Sequence, residues 1–145
     1  MLAKLPDAWL VLHDLPLGSN GANLDHLVVG SPGVFSLNTK NLTGKVWVAE
    51  RALLHNGHKT DFLPKARREA ERVSRSLGAA GVPVAVHPVL VLMCDDYRMK
   101  AQPLDVAVVR RRELRRWLER QPIRLSPQEV EAVRAVAVRA ETWSC

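Results

Sequence analysis

The sequence predicts an α/β domain: a central mixed sheet that begins as an antiparallel hairpin meander and is flanked by helices. Three observations predict it. Strand-like runs broken by Gly- and Pro-containing turns fill residues 9–54, an amphipathic helical period follows Pro64, and a Val-rich run at residues 82–93 precedes further helical patterns. At 145 residues the chain has the size of one compact domain, expected to span residues 1–145. Its 47% hydrophobic and 25% charged residues are ordinary globular usage and exclude disordered, collagenous or disulfide-scaffold classes.

Residues 9–14 suit a first strand, with a polar loop from Pro16 to Gly21 after it. Residues 23–29 and 34–40 are two further strands. Gly30-Ser31-Pro32-Gly33 between them marks a tight reversal, so the pair forms a hairpin. Residues 45–50 and 52–54 continue the meander, followed by Asn56-Gly57, the pair favoured in type I′ turns. Ala66, Ala70, Val73 and Leu77 then recur at helical steps, with Arg67, Arg68, Glu69, Glu71, Arg72 and Arg75 assigned to the outer face and Gly78 to the C-cap. The run at 82–93 reads as a central strand that Cys94-Asp95-Asp96 ends, Asp95 and Asp96 being turn formers. A short strand at 105–109 leads into a helix over 110–120 with Leu114, Trp117 and Leu118 on one face. Ser126-Pro127-Gln128-Glu129 is a capping box that opens the last helix.

Twenty-one Lys and Arg against 15 Asp and Glu give a formal charge of +6, which favours polyanionic partners. Seven arginines against two glutamates fall between Arg110 and Arg124. Arg110, Arg111, Arg112, Arg115 and Arg116 are the candidates for contact with DNA or RNA phosphates, although such a face also serves plain solvation. Cys94 and Cys145 make neither a disulfide framework nor a zinc spacing. No apolar run reaches the roughly 20 residues of a membrane helix or forms a signal-peptide core. The expectation is a cytoplasmic protein without a membrane segment.

The chemistry concentrates in the hairpin. If Val29 pairs with Val34, paired residue numbers sum to 63 and Asp25 stands opposite Asn38. Opposed residues share a face about 5 Å apart, and alternation puts Asn38 and Lys40 on one side and Thr39 on the other. Asp25, Asn38 and Lys40 then converge. Oxygen ligands of this kind hold a divalent cation that polarises a phosphate, while an ammonium stabilises the developing charge. Spacing alone also fits a surface ion pair of Asp25 with Lys40.

Residues 22–48, ANLDHLVVGSPGVFSLNTKNLTGKVWV, resemble the core of the nuclease-related domain family, NERD, a bacterial branch of the PD-(D/E)XK restriction-endonuclease-like superfamily. The resemblance lies in Asp25-His26, Gly33-Val34-Phe35, Asn38-Thr39-Lys40 and Gly44-Lys45. It implies a restriction-endonuclease-like fold and an Mg²⁺-dependent nuclease site, with Asp25 as metal ligand, Lys40 as catalytic lysine and Asn38 where the family has a second acidic ligand. An amide oxygen ligates a hard cation but brings no negative charge, so Mg²⁺ binding should weaken. Three readings therefore stand open: a hydrolase of DNA or RNA, a weak or inactive member that serves as a nucleic-acid or protein interaction module, or a purely structural small α/β domain whose basic face serves solvation. The superfamily normally has a helix with a glutamate ahead of the first strand; the sequence begins only a few residues before Trp9, so that helix is either missing or lies upstream of residue 1.

The other signals read structurally. His55 and His58 bracket a turn, and His26 is expected to be a hydrogen-bonded packing residue. Glycine at residues 30–33 leads into a strand rather than a helix, so no phosphate loop is present.

Overall fold

The computed structural model describes residue 6 and residues 8–17 and 23–144. The start of the chain, most of the predicted polar loop, Ala22 and Cys145 lie outside the described residues. Among the described residues, nine strands form two sheets. β1 (Leu10–Pro16), β2 (Asn23–Gly30), β3 (Gly33–Asn41), β7 (Val86–Met93) and β9 (Ala107–Arg110) make the larger, in the order β1-β2-β3-β7-β9. Its first three strands are antiparallel neighbours and its last three parallel ones. This is the mixed sheet that the sequence predicts.

The meander does not continue through it. β4 (Lys45–Ala49), β5 (Ala52–His55), β6 (His58–Lys59) and β8 (Asp96–Met99) form a second sheet in the order β6-β5-β4-β8. The free edge of β3 is taken by β7 in eight parallel pairs, from Val34 with Val86 to Asn41 with Met93. The chain therefore leaves β3 at Leu42, turns through Gly44 at φ +88°, and is fixed there by the Lys45 amide donating to Asn56 Oδ1 at 2.8 Å. β8 corrects the expectation of a loop at Asp96: Tyr97 and Met99 pack inward while Arg98 faces out, the alternation of a half-buried strand.

α1 (Phe62–Ala79) covers one face of the larger sheet. Its first half puts Leu63 and Ala66 against Leu90, Leu92, Val46 and Val48; its second half puts Val73 and Leu77 against Leu27, Val29 and α3 (Pro127–Ala137). α4 (Ala140–Trp143) adds the buried Trp143. The opposite face, with Val28, Phe35, Leu37, Val89 and Val91, is closed by Leu114 and Leu118 of α2 (Leu114–Glu119). Both faces of β7 are covered, which accounts for its apolar run from Val89 to Met93. The predicted helix over 110–120 is a 3-10 turn at Arg111–Glu113 followed by α2, because Arg110 still belongs to β9.

Local signals close the helices. Ser126 and Glu129 form the expected capping box, with bonds of 2.9 and 3.1 Å. The C-terminal glycine of α1 is Gly81 rather than Gly78. Gly81, at φ +95°, sends its amide to Gly78 O at 3.0 Å, and Val82 sends its own to Leu77 O at 2.9 Å, a Schellman pair whose Val82 joins the cluster around Leu77.

Two stability effects follow from this packing. Leu90→Ala, at a fully buried side chain, should cost about 2–5 kcal/mol in urea unfolding. Gly81→Ala should cost about 1–2 kcal/mol because a Cβ disfavours its left-handed conformation. A loss under about 1 kcal/mol at Leu90 would contradict the packing of β7 against α1 and the second sheet.

Candidate functional site

The register of the β2–β3 hairpin is the expected one: Val29 pairs with Val34, and the pairs run back to His26 with Leu37. There the ladder stops, one pair short of Asp25 and Asn38. β2 goes on with β1, through Leu15 with Leu24 and Pro16 with Asn23, while β3 goes on with β7 to Asn41. The two strands fork, and the fork leaves backbone donors on β3 without a ladder partner.

Asp25 meets that need. Its Oδ2 accepts from the Thr39 amide at 2.8 Å, which holds an exposed carboxylate against β3 beside Asn38. Asn38 is 9% exposed, and its Nδ2 donates to Oε1 of Glu69 at 2.8 Å. Glu69, 8% exposed, comes from the middle of α1, on the stripe shared by Ala66, Ala70 and Val73. Sequence reasoning assigned Glu69 to the solvent face, and the structure corrects this. The signal was there in its spacing, three residues after Ala66 and four before Val73.

Lys40 shares the α1 side of β3 with Asn38. Its Nζ lies 5.0 Å from the centre of the Phe62 ring, at the start of α1, in a cation–π contact. Among the described residues no ion pair joins Asp25 to Lys40; the one that forms joins Arg67 to Asp105 at 3.7 Å. The structure thus ties Asp25 to the backbone amide of Thr39, the residue after Asn38, pairs the Asn38 side chain with Glu69, and rests the Lys40 ammonium on an aromatic ring.

Asp25 opens on a cleft of about 500 Å³ that it lines with His13, His26, Thr39, Met93 and Arg111. Met93 and Arg111 also line a neighbouring cleft of about 560 Å³, whose wall carries Arg110, Arg112 and Arg115. Arg110 stacks over Tyr97, its guanidinium carbon 5.3 Å from the ring centre. Arg124 is elsewhere: its Nη1 donates to Pro32 O at 2.9 Å and ties the hairpin turn to the C-terminal segment. Arg116 is exposed on α2.

His26 packs without the expected hydrogen bond. Its ring meets His13 edge to face at 4.9 Å, and among the described residues its buried Nδ1 has no partner. Burial, with the charge of His13, pushes its pKa below the ordinary 6.5, while Asp25 works the other way. His87, against Phe35 at 5.4 Å, is also lowered, by burial and then by Arg124. The His55–His58 segment is the expected turn, with Asn56 and Gly57 at φ +51° and +82°.

Among the described residues no group of three or more His, Cys, Asp or Glu side chains is placed for a metal ion. The donors at the fork still suit a hard cation that takes one or two carboxylates and completes its shell with water and phosphate. Asp25 offers an ionic oxygen and Asn38 an amide oxygen.

The forked mixed sheet, flanked by helices, is an α/β fold of restriction-endonuclease-like form. The family model of the nuclease-related domain, NERD, matches residues 1–93, well over half of the chain, and the chain belongs to that family within the PD-(D/E)XK superfamily. The match takes in Asp25, Asn38, Lys40 and Glu69 and ends with β7, so the arginines from Arg110 onward lie beyond it. No curated protein and no solved structure matches the chain. No helix among the described residues is long and apolar enough to cross a membrane.

The lowered histidines set a pH dependence. Both take up protons more readily unfolded than folded, so their contribution is complete above about pH 6.5 and is lost as pH falls toward their folded values. Urea midpoints should fall between pH 7 and pH 5, and His26→Gln with His87→Gln should flatten that slope. An unchanged slope in the double variant would assign the acid sensitivity to other groups.

Proposed function

We propose that this domain hydrolyses phosphodiester bonds of DNA or RNA with the help of Mg²⁺ held by Asp25 and Asn38. The observation that carries the reading is the Asp25 carboxylate fixed at the fork by the Thr39 amide, on a cleft that shares Arg111 with its arginine-walled neighbour. Bound Mg²⁺ supplies a polarised phosphate and a water of lowered pKa. The chain's own residues do the rest. Thr39 N–H occupies one oxygen of Asp25 and orients the carboxylate, leaving the other for the ion. Lys40 carries its charge on a flexible stem, so its ammonium can leave Phe62 for a phosphate oxygen in the transition state. Arg111, Arg112 and Arg115 hold the polyanion by its phosphates, without reading sequence.

A second reading, an interaction module of low or no activity, is favoured by two observations: the neutral side chain at Asn38 and the resting place of Lys40 away from Asp25. Plasmid and single-stranded substrates incubated with Mg²⁺ or Mn²⁺ separate the two. Cleavage should disappear in Asp25→Ala and fall by about 10²–10³ in Lys40→Ala. Cleavage that persists in both would assign it to another site or a contaminant, and binding without cleavage would favour the module.

The arginine cleft has its own test. Affinity for a DNA duplex should fall steeply with salt, and Arg111→Ala with Arg115→Ala should reduce the log–log salt slope by about two. A slope that the double variant leaves unchanged would remove the cleft from the binding surface.

A further inference from the structure

Glu69 is the one acidic side chain among the buried residues described, and it stands on an otherwise apolar stripe of α1. A carboxylate in such surroundings is costly unless it is hydrogen-bonded, and its partner here is the side chain of Asn38, at 2.8 Å. The pair can form in one sense only. A carboxylate accepts and never donates, so the amide must turn its nitrogen to Glu69. The two ends of an asparagine amide are nearly the same size, and without such a partner little decides which end faces which way. With Glu69 in place, the Asn38 nitrogen that would repel a cation is tied up, and Oδ1 is the end of the amide turned from Glu69.

We propose that Glu69 is a positioning residue that makes Asn38 an oxygen ligand, and that its charge, relayed through the hydrogen bond, offsets the negative charge Asn38 lacks. This rests on the metal-assisted reading of the fork. Carboxylates that hydrogen-bond to a ligand from behind orient it and strengthen its donor atom, and their loss typically weakens metal binding. The pair also explains the amide on β3. An acidic side chain at position 38 would face Glu69 at hydrogen-bonding distance with like charge, so the helix carboxylate and the strand amide are complementary choices.

Isothermal titration of the full chain with Mn²⁺ alone tests this, on wild type, Asp25→Ala, Glu69→Gln and the double variant Asn38→Asp with Glu69→Gln. Glutamine at 69 can offer either end of its amide, so the sense of Asn38 is no longer fixed and affinity should drop roughly 10- to 100-fold. The double variant reverses the pair, with the amide now donating from the helix to a carboxylate on the strand, and should recover the lost affinity. Unchanged Mn²⁺ binding in Glu69→Gln, with binding lost in Asp25→Ala, overturns the role of Glu69 and leaves the metal reading standing. Wild type that binds no Mn²⁺ overturns both. A double variant no better than Glu69→Gln also overturns the proposal. Should Glu69→Gln fail to fold, the double variant decides alone: it must bind Mn²⁺, and failure to do so counts against the pair.

Discussion

Beyond His26 and Leu37 the central strands can no longer share a ladder, because β2 is committed to β1 on one side and β3 to β7 on the other. Each strand keeps its outer partner at the expense of the inner one. The gap that results would leave backbone amides of β3 unsatisfied, and the Asp25 side chain fills it by taking the Thr39 N–H. A carboxylate is thereby fixed at the edge of the core by the same shortage of hydrogen bonds that opens the site. Had the ladder run one pair further, Asp25 would be an ordinary cross-strand neighbour of Asn38.

The fork in turn depends on how the rest of the chain is divided. β7, apolar on both faces, needs cover on each side, and it obtains α2 beneath and α1 with the second sheet above. α1 therefore serves two clusters, one through Leu63 and Ala66 and one through Val73 and Leu77. Glu69 lies between them, opposite the polar stretch of β3 formed by Ser36 and Asn38. A buried carboxylate is tolerated at that seam because the strand supplies a donor there; anywhere else along the stripe it would face leucine and valine.

Much of this was legible in the residues. The Gly-Pro turn and the alternation on either side fix the hairpin register from local information. The Ser126 capping box and the Asn56-Gly57 turn are local in the same way. What was hidden depends on distant partners. That β4 leaves the meander follows from the claim of β7 on the edge of β3, some fifty residues further along the chain. Gly78 was a plausible helix end, but the amides of Gly81 and Val82 bond back to Gly78 and Leu77, with Val82 packed on the cluster that holds Leu77, and this sets the end at Gly81. Glu69 was masked by its charge: helical spacing set it on the buried stripe, while its residue type argued for water.

Whether the fork gathers Asp25 and Asn38 around one ion can be read from anomalous diffraction by crystals of the protein grown with Mn²⁺. A single anomalous peak is expected at the fork, about 2.1 Å from an Asp25 carboxylate oxygen and from Asn38 Oδ1. A peak bound elsewhere, or an Asn38 amide that presents its nitrogen to the fork, would contradict it.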